Sequence, residues 1–179
     1  MPTPRRRQAG ITLVEQLVTA SVAGVLALSS LPGLEEAKAR RRLEGMLAQI
    51  ESELQFARSS AVSRGETVRV AFADSAAGSC YVIHTGQPHD CQCEADGSAQ
   101  CSPGAQALRT FATPATDGLR FTSSARQVGF DAEHGTVTPT TTLQLSNRRG
   151  DSQRLIVNVM GRIRACAVGN GGPMLPACS

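Results

Sequence analysis

The sequence of 179 residues has few aromatic side chains. They make up 3% of the chain, with no Trp and one Tyr, so a hydrophobic core has to be built from Leu, Ile, Val, Ala and five Phe. The sequence also lacks a G-x-S-x-G nucleophile elbow, a phosphate-binding loop and an H-E-x-x-H metal motif. These absences predict a protein that is not an enzyme and that carries no cofactor.

Positive charge is unevenly distributed along the chain. Residues 1–10 carry a net charge of +3, residues 11–103 of −4 and residues 104–179 of +4. Every basic residue in the last segment is Arg, whose planar fork suits phosphate groups. This balance permits an anionic partner, although scattered surface Arg is the ordinary alternative.

The cysteines are even in number and follow an N-terminus that looks like an export signal, which predicts disulfides in an oxidising compartment. They are Cys80, Cys91, Cys93, Cys101, Cys166 and Cys178. Proximity along the chain favours a Cys166–Cys178 bridge that closes the C-terminal tail. The other four would then pair among themselves, and Cys80–Cys91 with Cys93–Cys101 is the simplest arrangement, although the sequence does not decide it.

A zinc site is the alternative interpretation of the cysteine-rich segment. Its ligands would come from His84, His89, Cys91, Cys93 and Cys101. The spacing fits no standard zinc pattern, and an oxidising compartment favours disulfides over thiolates. We therefore predict no metal site and a loop held by crosslinks.

The N-terminus has the strongest pattern. A basic leader, residues 1–10, precedes the apolar residues 11–31, whose length matches a membrane span. Arg in the leader favours a cytoplasmic N-terminus. Glu15 would cost about 2.5–3.5 kcal/mol inside such a span. Cleavage after Gly10 would free an amine on Ile11. The Ile11 amine of a neighbouring chain could then pair with Glu15, which would offset the cost of burying the carboxylate and set the axial register.

Beyond the span, the period of the apolar residues predicts an amphipathic helix followed by strands. Over residues 32–64 the spacing is three and four; the stripe comprises Leu43, Met46, Leu47, Ile50, Leu54, Ala57 and Ala61. After Gly65 the period is two; the candidate strands are residues 67–73, 80–84, 107–111, 119–122, 128–130, 141–145, 154–159 and 163–167. The predicted fold is α+β, with a long N-terminal helix packed on an antiparallel β-sheet head of residues 65–179.

The segment GITLVEQLV, residues 10–18, resembles the prepilin signature of the type IV pilin superfamily. This resemblance implies cleavage between Gly10 and Ile11 by a prepilin peptidase, methylation of the new N-terminus at Ile11 and a registering role for Glu15. It also implies the pilin fold.

The order of the later motifs resembles the FimT/GspH branch of that superfamily. The matching residues are Phe130, Asp131, Gly135, 143–145, 154–157 and 161–164. The resemblance implies a single-pass inner-membrane protein with a periplasmic head that later joins a pilus or pseudopilus. Its implied partners are other pilins and minor pilins, the prepilin peptidase and a pilus or secretion assembly platform.

The segment Gly161-Arg162-Ile163-Arg164 is the candidate ligand site. In an extended strand, Arg162 and Arg164 project to one face about 7 Å apart while Ile163 turns inward, close to the spacing of successive phosphates on one nucleic-acid strand. FimT-type minor pilins that bind DNA carry a similar motif, so the resemblance implies contact with double-stranded DNA. Further Arg were expected to extend the patch; they are Arg148, Arg149 and Arg154.

A structural role is the alternative for the same segment: an edge strand kept soluble by its charge, with Gly161 as a bulge. No aromatic residue alternates with these Arg, so DNA contact would go to backbone phosphates without base stacking.

Three functions are consistent with these patterns. The first is a minor type IV pilin that assists pilus assembly and binds DNA for uptake in natural transformation. The second is pseudopilin H of a type II secretion system. The third is an enzyme or metal-binding domain on a signal anchor, which lacks any catalytic constellation.

Overall fold

The computed structural model describes residues 12–169 and 175–178, and gives no side-chain detail for residues 27–33. The chain divides into two compact units, Met1–Ala39 and Arg40–Ser179. One helix, α1 (Leu13–Arg64), contributes to both units. The two helical segments predicted from the sequence, residues 11–31 and 32–64, are therefore one continuous element, and only Ile11 of them lies outside the described residues.

In the first unit, α1 begins directly after Thr12. The Thr12 hydroxyl accepts a hydrogen bond from the Glu15 N–H at 3.3 Å, which satisfies one of the free donors of the first turn. The apolar side chains of this unit are exposed; they include Leu13, Val14, Leu17, Val18, Val22 and Val25. Across the described residues, no helix is long and apolar enough to count as a membrane span.

The described residues of the second unit form eleven strands. They are β1 (Val68–Ser75), β2 (Gly78–His84), β3 (Cys91–Cys93), β4 (Ala99–Cys101), β5 (Ala107–Pro114), β6 (Leu119–Ser123), β7 (Gln127–Phe130), β8 (Val137–Thr138), β9 (Thr141–Asn147), β10 (Ser152–Val157) and β11 (Ile163–Ala167). A short 3-10 helix, Ala115–Asp117, precedes β6. The strands pair antiparallel in the orders β5-β2-β1-β7-β8, β11-β10-β9-β6 and β3-β4. All eight strands predicted from the two-residue period are present, whereas β3, β4 and β8 were missed because they are only two or three residues long.

The apolar stripe of α1 forms one side of the main core, as predicted. Leu43, Ile50 and Leu54 are each 1% exposed. Ala57 and Ala61 are fully buried, and their small side chains allow the sheets to approach the helix closely. The inner faces of both large sheets provide the other side; they contribute Val68, Val70, Tyr81, Ile83, Phe121, Phe130, Leu143, Leu145, Leu155 and Val157. Each large aliphatic side chain buried here stabilises the fold by about 1.5–3 kcal/mol.

The five-stranded and four-stranded sheets are joined by a polar link between β1, β2 and β6. The buried hydroxyl of Ser79 donates to Asp74 Oδ1 at 2.9 Å and accepts from the Phe121 N–H at 3.2 Å. Asp74 also forms an ion pair with Arg120 at 2.7 Å. This link holds β6, and through it the whole four-stranded sheet, beside β1.

The β3–β4 hairpin covers the outer face of the five-stranded sheet and forms a second, smaller core. Its bridges are Cys80–Cys93 and Cys91–Cys101, so the expected pairing of Cys80 with Cys91 and of Cys93 with Cys101 is wrong. The hairpin register is the reason, because it places Cys91 directly opposite Cys101 and leaves Cys93 facing β2.

The tail bridge between Cys166 and Cys178 is present as predicted. It is reinforced by backbone hydrogen bonds, since the Ala167 N–H donates to the Pro176 carbonyl at 2.9 Å and the Cys178 N–H donates to the Ala167 carbonyl at 3.0 Å. The tail is therefore fastened to the end of β11.

Candidate nucleic-acid interface

Arg162 and Arg164 lie at the open edge of the four-stranded sheet. Strand β11 is the last strand of that sheet and pairs only with β10 among the strands described. Ile163 is buried opposite Val157, whereas Arg162 and Arg164 are exposed. The alternation predicted from the sequence is therefore present, and both guanidinium groups project from the outer face.

Arg154 joins this pair through the strand register. Arg164 is paired with Ile156, and Arg154 with Cys166, so Arg154 and Arg164 are diagonal neighbours on the same face. Such neighbours lie about 7–8 Å apart. Arg154 is half-buried, and its guanidinium donates to Gln144 Oε1 at 3.3 and 3.4 Å, which holds it against the sheet. We call Arg154, Arg162 and Arg164 the arginine face.

Among the described strand residues on the outer face of this sheet, none is acidic. The strand residues that share this face by register are Arg120, Thr122, Thr142, Gln144, Ser146, Ser152, Arg154, Ile156, Arg164 and Cys166. Arg120 is neutralised by Asp74, which reaches it from β1. Within the described part of the chain, the arginine face has no acidic side chain at ion-pair distance, so its charge is available to an anion.

Arg148 and Arg149 are not brought to the arginine face. They occupy the β9–β10 turn, whereas Arg162 follows the opposite end of β10. This strand has 6 residues, so at about 3.3 Å per residue its two ends lie about 20 Å apart. The guanidinium of Arg148 donates to the carbonyls of Ala115 and Thr116 at 2.9 and 2.8 Å. Arg148 therefore caps the short 3-10 helix, and only Arg154 extends the predicted patch.

Gly161 lies in a turn before β11 and not in a bulge of that strand, whereas β11 is an edge strand as the structural alternative expected. Its φ is +70°, a left-handed conformation that favours glycine. The Gly161 N–H donates to the Asn158 carbonyl at 2.8 Å, and the Arg162 N–H donates to Asn158 Oδ1 at 3.0 Å. This turn sets the direction in which Arg162 leaves the sheet.

Arg58 makes a contact from α1 that the sequence did not predict. Arg58 is half-buried, and its Nε donates to the Gly135 carbonyl at 3.0 Å. The only sequence signal was its position next to Ala57 and within one helical turn of Ala61, the small residues at which α1 approaches the sheets. Arg58 thus connects α1 to the turns on which the arginine face depends.

His84 shows why the zinc alternative does not hold. Its ring is buried, with Nδ1 donating to the Thr85 carbonyl at 2.9 Å and Nε2 accepting from the Gln127 amide at 3.4 Å. Burial lowers the pKa of His84, so the ring is neutral. All six cysteines are in disulfides, so the segment presents no thiolate ligand.

At the N-terminus, Gly10 and Ile11 lie outside the described residues. Glu15 is exposed in the first turn of α1, where the positive end of the helix dipole stabilises a carboxylate. The spacing of Thr12 and Glu15 is that of a capping box, and its Thr12 half is formed. The Glu15 N–H is therefore held by the Thr12 hydroxyl at the start of the helix.

Comparison with known proteins identifies the family. The family model described as type II transport protein GspH matches residues 47–161, which is more than half of the chain. None of the curated proteins compared with the chain matches it.

Two crystal structures of one known protein share the fold. The type IV minor pilin FimU of Pseudomonas aeruginosa strain PAO1 has a TM-score of 0.53 at 18% identity, over 75% of this chain and 95% of FimU. A second crystal form of FimU gives 0.50 at 16% identity, over 73% and 97%. The minor pseudopilin EpsH of the Vibrio cholerae type 2 secretion system gives 0.45 at 17% identity, over 72% and 96%. The family model matches the last part of α1 and most of the head, so the chain belongs to the GspH family.

Proposed function

We propose that this chain is a FimT-like minor pilin of a type IV pilus, which assists pilus assembly and binds DNA through Arg162 and Arg164 during uptake. The observation that carries the proposal is the arginine face, a set of three Arg with no acidic side chain at ion-pair distance among the described residues. Arg forks bind phosphate, and Arg162 and Arg164 are exposed at the edge strand of the sheet.

Binding at this face would be electrostatic and independent of base sequence. With three phosphate contacts, the logarithm of affinity falls with the logarithm of salt at a slope of about −2.7, or about a 40-fold loss of affinity between about 50 and about 200 mM salt. The described side chains of the arginine face include no aromatic ring on which a base could stack.

The test is a mobility-shift titration of the full, oxidised chain in nonionic detergent against double-stranded DNA at several salt concentrations. The Arg162→Ala/Arg164→Ala variant removes two of the three contacts, so its slope is expected to fall to about −0.9. The matched control is Arg126→Ala/Arg149→Ala, which removes the same charge from exposed positions that are not part of the arginine face. Equal weakening by the two double variants would contradict the proposal, as would no binding at low salt.

A pseudopilin of type II secretion is the second candidate function, favoured by the match to the family of type II transport protein GspH. In that case the arginine face would contact acidic surfaces of neighbouring pseudopilins. Deletion of the gene would then abolish secretion of type II substrates and leave transformation intact. The minor-pilin proposal predicts the opposite pattern.

We further propose that the chain is not an enzyme and that its processing follows the prepilin route. A prepilin peptidase would cleave after Gly10 and methylate Ile11, the chain would pass through the inner membrane, and Glu15 would set the register against the N-terminus of a neighbouring pilin. Mass spectrometry of the mature N-terminus tests the cleavage. Glu15→Ala is expected to reduce incorporation into filaments, and normal incorporation would refute the registering role.

A further inference from the structure

Three parts of the chain meet beside the arginine face: α1 at Arg58, the turn at Gly135 and the turn at Gly161. A side-chain carbon at Gly161 would lie 2.4 Å from the Gly135 carbonyl oxygen and 3.0 Å from Nε of Arg58. One at Gly135 would lie 2.9 Å from the same Nε. Both glycines have positive φ, and an added carbon would meet the Gly135 carbonyl first at Gly161 and the Arg58 side chain first at Gly135.

Each turn at this junction is itself organised by hydrogen bonds. Asp131 Oδ1 accepts the N–H groups of Glu133 and His134 at 3.1 and 2.9 Å, which lowers the pKa of Asp131, and the Gly135 N–H donates to the Asp131 carbonyl at 3.1 Å. This turn presents the Gly135 carbonyl to Arg58.

The second turn is tied to the first. The Val137 N–H donates to the Val159 carbonyl at 2.9 Å, and Asn158 accepts the N–H groups of Gly161 and Arg162. A continuous path of contacts therefore runs from the Arg58 guanidinium to the backbone of Arg162.

We infer that Arg58 is a positioning residue for the DNA contact, which holds Arg162 in register with Arg164 and Arg154. This inference rests on the proposed function. Arg58 is suited to it because one guanidinium both donates to the Gly135 carbonyl and packs against Gly161. Lys has a positive charge but neither the fork nor the Nε donor.

The experiment compares Arg58→Lys with Arg64→Lys in the full chain. Arg64 lies in the last turn of the same helix and pairs only with Glu66, at 3.7 Å, among the ion pairs of the described residues. Both variants retain the net charge. The two readouts are the salt slope of DNA binding and amide hydrogen exchange at Val137, Gly161 and Arg162.

Arg58→Lys loses a charge-assisted hydrogen bond. In this variant, hydrogen exchange at the amides of Val137, Gly161 and Arg162 is expected to become about tenfold faster or more. The DNA slope is expected to become shallower by about 0.9, as though one phosphate contact were lost. Arg64→Lys is expected to change neither readout. Ser79→Ala, which breaks the link between the sheets, controls for stability, since it should lower the melting temperature without changing the slope.

The outcomes separate the inference from the proposed function. Absence of DNA binding by the unchanged protein overturns the proposed function. Binding that keeps its slope in Arg58→Lys, whether or not exchange becomes faster, overturns the positioning inference alone. A slope lowered equally by Ser79→Ala also overturns it, because the effect would then be one of general stability.

Discussion

Replacing Gly161 by Ala should destabilise the fold much more than the same change at Gly65. The two glycines have similar backbone conformations, with φ of +70° and +66°. No heavy atom lies within 4 Å of a side-chain carbon at Gly65, whereas one at Gly161 would lie 2.4 Å from a backbone oxygen. The pair therefore separates backbone strain from steric conflict.

The cost can be worked out from these contacts. A left-handed Ala costs about 1–2 kcal/mol, partly offset by its lower entropy in the unfolded chain, so Gly65→Ala should cost about 1 kcal/mol. Gly161→Ala adds a displacement of the Gly135 carbonyl, which breaks the hydrogen bond from Arg58. A hydrogen bond to a charged group contributes about 1.5–3 kcal/mol, so the total for Gly161→Ala is about 3 kcal/mol.

The assay is guanidinium unfolding of the full chain in detergent, followed by circular dichroism, with the denaturant slope checked for equality among variants. Gly150→Ala is a second control, because Gly150 has a φ of +89° and also has open space around it. Equal costs at Gly161 and Gly65, within about 0.5 kcal/mol, would refute the close approach of the turns and with it the role assigned to Arg58.

Three further predictions concern the head. Burial lowers the pKa of His84, so as the pH drops the imidazole is protonated in the unfolded state before it is protonated in the folded state. The free energy of unfolding should therefore fall below about pH 6.5. His84→Gln should lessen this fall in unfolding titrations at successive pH values. The Tyr81 hydroxyl is buried without a hydrogen-bond partner among the described residues, so Tyr81→Phe should leave thermal stability unchanged or raise it. The Cys91→Ser/Cys101→Ser variant should lose about 2–4 kcal/mol of stability in the same unfolding assay.

Each of these predictions has a contradicting result. An unchanged pH dependence in His84→Gln would show that another group controls stability in this range. A loss of more than about 1 kcal/mol in Tyr81→Phe would mean that its hydroxyl has a partner. Peptide mapping that recovered Cys80 linked to Cys91 would contradict the hairpin register.

Local periodicity explains what the sequence predicted well. The apolar stripe from Leu43 to Ala61 and the alternation in Arg162–Arg164 repeat within a few residues, so they are visible without knowledge of the fold. The prepilin-like pattern of Gly10–Glu15 stays a prediction, because Gly10 and Ile11 lie outside the described residues.

Contacts between distant segments were beyond sequence reasoning. The cysteine pairing depends on which residues oppose each other in a hairpin of three-residue strands. The separation of Arg148 from Arg162 depends on which end of β10 each turn follows. Arg58 meets Gly135 across 77 positions of sequence.

The amino-acid sequence by itself therefore determined the class of fold, the apolar face of the helix, the alternation of β11 and the family. Only the tertiary structure decided the disulfide partners, the members of the arginine face and the position of Arg58. The physical reason is that helix and strand periods arise from the backbone geometry of neighbouring residues, whereas register, strand order and close packing at Gly161 arise when distant segments meet in one core.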